Sequence, residues 1–207
     1  MKKSYIILGV IAVIAIALFV SGKSTYNSFV GLDQTVEQSW AQVENQYQRR
    51  LDLIPNLVEA VKGYAKHESE TYESVTRARA GLSDAYNSAG EASGEIKTVA
   101  SPSQEQLDGY MAAQQSLQRA LSIYVNAVRE AYPDLKANEQ FADLQAQLEG
   151  TENRIATERM RYTEAVREYN VRVKSFPANI WAGIFGYGAK AQFKADPEAA
   201  HAPKVQF

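Results

Sequence analysis

The chain of 207 residues contains no cysteine, which excludes disulfides, thiolate metal sites and cysteine nucleophiles outright. Histidine is nearly as scarce. A di-iron centre in a helical bundle needs two Glu-x-x-His pairs and further carboxylates, and this chain has only two histidines. His67 has Tyr64 three residues before it, and His67-Glu68 opens a zincin motif whose second ligand is missing, because residue 71 is Thr. Only Glu198 with His201 has the right spacing, and it lies in a proline-bearing tail. No metal and no cofactor is therefore expected. Gly-x-Ser-x-Gly, a Walker lysine and a glycine fingerprint after a strand are also lacking. The formal net charge of −2 provides no basic field for phosphates, so no nucleic-acid partner is expected.

Glycine is sparse outside a few clusters and no long stretch alternates polar with apolar, so half-buried strands have no support. Ala and Glu are the commonest residues, which favours an all-α protein. One segment stands apart. Ser4 to Gly22 carries no charge and is bracketed by Lys2, Lys3 and Lys23. Its dense apolar part, Tyr5 to Val20, is a little short of the ~20 residues that span a hydrocarbon core, a difference that snorkelling lysines and a thin bilayer absorb. It reads as a membrane-spanning helix and hence a contact with membrane lipid. The alternative is a cleaved export signal, against which Phe19-Val20-Ser21-Gly22-Lys23 offers only a weak cleavage match. Lys2 and Lys3 against Lys23 favour an inside N-terminus in a single-pass protein with the rest exported; the reverse orientation is the alternative.

Beyond the anchor, Phe29, Leu32, Val36, Trp40, Val43, Tyr47, Leu51 and Ile54 recur at helical spacing. Pro55 predicts a tight reversal into a second helix, or else a kink in one long helix. The second stripe runs from Leu57 to Ala78, with Gly81 as its end. Gly81 to Ser101, rich in Gly, Ser and Ala, predicts a loop. Ser101 as N-cap, Pro102 and Gln104 announce a third helix up to Pro133, and a fourth runs from Leu135 to Phe176-Pro177. Four amphipathic helices predict an antiparallel up-down-up-down four-helix bundle with coiled-coil-like packing, placing the turns at Pro55 and Pro133 at the far tip. The implied organisation is an anchor at 1–24, a four-helix domain at 25–175, and a membrane-proximal aromatic segment with a polar tail at 176–207.

The run from Trp40 to Val58, with Tyr64-Ala65-Lys66-His67-Glu68, Tyr132-Pro133-Asp134-Leu135-Lys136-Ala137-Asn138, Glu152-Asn153-Arg154-Ile155-Ala156, Tyr169-Asn170 and Phe176-Pro177, resembles the signature of the LemA family. The resemblance covers nearly the whole chain. It implies a bacterial membrane protein with one N-terminal helix and a four-helix domain, in a family without an established molecular activity. Two departures stand out: Arg161-Tyr162-Thr163 replaces a more usual Tyr-Asn, and the Ser/Gly-rich stretch before Pro102 is this chain's own.

The expected function is a non-enzymatic scaffold or protein-interaction module of the bacterial inner membrane and envelope. The alternative is an enzyme or ligand-binding protein whose polar site, drawn from Arg50, His67, Glu68, Glu152 and Arg159, lies inside the bundle. A candidate partner-binding tip gathers Arg49, Arg50, Asp52, Asn56, Asp134, Lys136 and Asn138; the plainer reading makes Asp52 and Asp134 helix caps among solvated cations. Glu152, Asn153 and Arg159 share a helix with the core stripe, as a register-fixing polar layer or a binding site. Trp181, Phe185 and Tyr187 are candidate membrane-interface residues, with packing across the base of the bundle as the alternative. The expected partners are an unidentified protein and further copies of the chain itself.

Overall fold

The structure, a computed structural model, describes residues 2–65, 72–97 and 102–194, with side chains from Tyr5 onward. Among these residues there are five α-helices and no strand: α1 (Lys2–Ala65), α2 (Glu73–Ile96), α3 (Gln104–Ala131), α4 (Glu139–Lys174) and α5 (Ala178–Phe185), with a 3-10 turn at Pro133–Ala137. The chain is all-helical, as composition and periodicity predict.

The first helix departs from expectation. It runs 64 residues without interruption, passing through Pro55. A proline inside a helix costs ~3 kcal/mol, because it removes one hydrogen bond and crowds the preceding turn. Here the ring lies on the exposed face while Leu51, Leu53, Ile54 and Leu57 around it are buried. Four such burials contribute ~6–12 kcal/mol, more than the proline costs. The next described helix, α2, begins only at Glu73.

Its first part is apolar and unpartnered. Every side chain from Tyr5 to Val20 is exposed, and this is the one helix among the described residues long and apolar enough to cross a membrane. The remainder of α1 packs along α4, and α2 along α3. Arg172 Nε donates to Ser28 Oγ at 3.3 Å near the apolar end, while Tyr64 and Tyr132 meet edge to face at the other.

A second departure concerns α2. The segment expected to be a loop from Gly81 is helical as far as Ile96, burying Leu82, Ala85, Ala89, Ser93 and Ile96. These residues recur at helical spacing along the side that packs on α3, and their burial outweighs the low helix propensity of the exposed Gly81, Gly90 and Gly94. The third helix also starts two residues later than expected. Ser103, not Ser101, is the N-cap, and Gln106 completes a capping box with it; Ser101 itself lies outside the described residues.

After α5 the chain stays extended and is strapped to the other helices. Asn170 holds the Lys190 backbone at both its N–H and its carbonyl, at 2.8 and 2.9 Å. Tyr162 donates to the Ala191 carbonyl at 3.0 Å, and Lys190 pairs with Asp33 at 2.5 Å.

Replacing Pro55 by Ala restores the amide that the Leu51 carbonyl lacks. The expected outcome is ~1–3 kcal/mol of added stability, read as a higher thermal midpoint by circular dichroism. A lower midpoint would mean that the chain needs a proline at a turn there.

Candidate functional site

The largest buried polar assembly lies at mid-height, where each long helix contributes a residue. Arg50 arrives on the buried stripe of α1, one position before Leu51, and is only 1% exposed. Its guanidinium has three acceptors. Nη1 pairs with the Glu152 carboxylate of α4, and Nη2 donates to the Gln114 side-chain oxygen at 2.5 Å and to the Gln114 backbone carbonyl at 3.2 Å, both on α3. The Gln114 amide donates onward to Ser93 Oγ of α2 at 3.3 Å. The guanidinium also sits over the Tyr47 ring, 5.1 Å from its centre, where the ring face favours a cation.

This layer divides the core. On the side of the apolar run lies one cluster with Trp40, Tyr47, Tyr110, Ile155, Tyr162 and Tyr169; beyond the layer lies another with Leu51, Leu57, Leu117, Tyr124 and Leu148. Burial disfavours tyrosinate at several of these rings. Tyr47 and Tyr110 are raised chiefly for that reason, and Tyr124 and Tyr162 are pushed up to about 12. Glu44, on the same helix, is also raised by burial, which Lys97 and Trp40 partly offset.

What the arrangement does chemically follows from its acceptors. The charge of Arg50 is met by Glu152 and its two Nη groups are directed at the chain's own oxygens, while Nε is buried without an acceptor, so the guanidinium is held in place by its terminal nitrogens and not presented to a substrate. The outer edge of Glu152 lines a surface hollow beside Gln118, Arg129 and Gln145.

The residues foreseen as an internal site divide. Arg50 and Glu152 are brought together; Arg159 is one helical stretch away, over the ring of Phe193 at 4.8 Å; Asn153 is exposed. His67 and Glu68 lie outside the described residues. Gln114 and Ser93 were not foreseen. Gln114 was legible as a polar residue occupying a stripe position between Tyr110 and Leu117, whereas Ser93 lay hidden in a segment taken for a loop.

The expected tip is likewise only partly assembled. Because α1 continues through Pro55, Arg49 and Asp52 are exposed on the flank of α1, ~20 Å short of its end, and Arg50 is buried and forms no rim. Asp52 caps nothing; it accepts from Gln48 Nε2 at 2.8 Å. Asn56 and Asn138 do line one open hollow, with Glu59, Tyr64 and Gln140. Asn138, not Asp134, caps α4 by accepting from the Phe141 amide at 3.1 Å; Asp134 and Lys136 are exposed on the 3-10 turn. At the opposite end, Trp181, Phe185 and Tyr187 pack on α1: Tyr26 meets Phe185 at 5.2 Å and Tyr187 at 6.1 Å, and the Trp181 ring covers Gly22.

Two outcomes test this layer. Arg50 has a side chain 2% exposed and Glu152 one 31% exposed, so removing either partner has unequal consequences. Glu152→Leu strands a buried cation and costs ~3–5 kcal/mol, Arg50→Met costs less because the carboxylate reaches water, and the double variant recovers most of the loss in denaturant titrations. The second is alkaline. Tyr124 and Tyr162 ionise in the unfolded chain near 10 and in the folded chain only at about 12, so their contribution is full below pH ~10 and lost as pH rises toward ~12. Unfolding should accompany the rise in tyrosinate absorbance across that window.

The family model described as LemA family matches residues 39–207. Two relatives, Magnetosome protein MamQ 1 and Magnetosome protein MamQ 2 of Paramagnetospirillum magneticum, are each 25% identical over 195 residues, covering 91% of this chain and 72% of theirs.

Proposed function

The chain belongs to the LemA family, and from that premise we propose that it acts as a membrane-anchored helical scaffold, docking a protein partner at the end farthest from its apolar run. The reading takes α1 to α4 as an up-down-up-down antiparallel bundle, supported by the contacts Ser28–Arg172 at one end and Tyr64–Tyr132 at the other. It places a single-pass anchor in the bacterial inner membrane, with the N-terminus inside and the bundle exported, on the strength of Lys2 and Lys3 against Lys23.

The observation that carries it is the contrast between interior and end. Inside, Arg50, Gln114 and Ser93 are bonded to one another and to Glu152. At the end, Asn56, Glu59, Asn138 and Gln140 surround an open hollow, with exposed Asp134 and Lys136 on the adjoining turn. An interior of that kind holds a fold in register and an end of that kind offers hydrogen bonds to a partner. The partner is an unidentified protein or a second copy of the chain, since a tether concentrates copies in two dimensions.

A second reading, a ligand site within the bundle, is favoured by one feature. The outer edge of Glu152 opens into the hollow with Gln118 and Arg129. Under that reading Arg129→Ala abolishes ligand binding, and under the scaffold reading it changes neither partner capture nor fold.

A photo-crosslinking residue at Lys136 tests the docking end. In native membranes it should give a discrete adduct, of twice the chain mass for self-association, while the same group at exposed Ile123 of α3 gives none. Equal or absent crosslinking at the two positions would overturn docking. Orientation is read separately with Ser88→Cys on the exposed face of α2, which an impermeant maleimide should label in intact cells; protection until lysis would place the bundle in the cytoplasm.

A further inference from the structure

The base of the molecule presents an apolar face with no protein partner. Ile180 and Ile184, four residues apart on α5 and 54% and 64% exposed, share one side of the helix, and Phe176 in the turn before it is 81% exposed. The other side is clamped. Ala178 and Ala182 are buried, and a Cβ on Gly22 would meet the Trp181 ring at 3.0 Å, so the indole lies directly on the α1 backbone. Trp181 stacks on Phe185 at 5.7 Å, and Tyr187 reaches Phe29 at 5.0 Å. Single exposed apolar residues are ordinary on a protein surface; two aligned on a helix that is held still, with a third in the turn leading into it, mark a contact.

Position decides what covers them. The contacts Trp181–Gly22, Phe185–Tyr26 and Tyr187–Phe29 climb α1 in step, so α5 starts beside the end of the apolar run and leads away from it. Gly22 and Tyr26 lie ~3 and ~9 Å beyond Val20 along the helix axis, the depth of the headgroup layer next to the hydrocarbon. Tyr5 to Val20 is ~24 Å of helix, ~6 Å short of a ~30 Å core, and the exposed face of α5 supplies apolar surface where that run gives out. Lys23 and Lys174, both exposed, flank the same level.

We infer that Phe176, Ile180 and Ile184 insert into the headgroup–acyl boundary of the bilayer that α1 crosses, making α5 an interfacial foot beside the anchor. This rests on the reading of α1 as a membrane span. The occupant of the face is lipid, continuous with the lipid around Tyr5 to Val20. Trp181, Phe185 and Tyr187 have the other task, joining the foot to α1. Because α5 leads away from the apolar run, Ile180 sits deeper than Ile184.

The lack of cysteine makes the test direct. Full-length protein carrying one nitroxide at Val13→Cys, Ile123→Cys, Ile180→Cys or Ile184→Cys is reconstituted in vesicles of phosphatidylethanolamine and phosphatidylglycerol. All four positions are exposed, so the label displaces no packing. Power saturation compares collisions with oxygen, which enriches in lipid, and with a water-soluble nickel chelate. The oxygen-to-nickel ratio at Ile180 should exceed that at Ile123 several-fold, with Ile184 between them and Val13 highest. A lipid-like ratio at Val13 together with one at Ile180 as low as at Ile123 would overturn the foot and leave the span intact. A water-like ratio at Val13 would overturn the span and the foot with it.

Discussion

A buried guanidinium must be given acceptors wherever it lies, and that requirement ties the long helices to one register. Sliding α4 by one turn would remove Glu152 from Arg50; rotating α3 would turn Gln114 away and leave both Arg50 and Ser93 short of a bond. Purely apolar faces tolerate such slips, because one leucine replaces another at little cost. Polar layers do not. The two hydrophobic clusters on either side supply most of the cohesion, and the layer between them makes one alignment the only satisfied one.

Periodicity made the helices legible, and it did so best where large side chains carried the pattern. Phe29 to Ile54, Leu107 to Val128 and Phe141 to Val173 are buried in the order the spacing predicts. It failed where chemistry was weighed without tertiary context. Pro55 has the intrinsic preference of a helix breaker, and only the burial of its neighbours on both sides keeps α1 whole. Gly81, Gly90, Gly94 and Ser93 have the composition of a loop, and only the burial of Leu82, Ala85, Ala89 and Ile96 among them makes the segment a helix, with the glycines on its exposed side. Both failures have one cause, a packing gain that local propensity does not contain.

The same cause separates the polar residues that were foreseen from those that were not. Arg50 and Glu152 are both named from the sequence for an internal polar site, but nothing in a linear reading adds Gln114 and Ser93, which complete the layer. The aromatic base was visible as a cluster, although its division of labour was not: Trp181 and Tyr187 face protein, and the aliphatic Ile180 and Ile184 face outward. Which rings turn inward is decided by Gly22, whose missing side chain leaves room for an indole against the backbone.

The unbroken first helix also has a mechanical meaning. From Gly22 to Ala65 it is ~65 Å of continuous rod beyond the apolar run, with no joint at which motion can be lost. Inclination of a spanning helix follows bilayer thickness, so a change of ~10° in tilt carries the far end ~11 Å sideways. Under the proposed reading of α1 as a span, the rod is a lever that carries a change of tilt at the bilayer to the end where Asn56 and Asn138 are exposed.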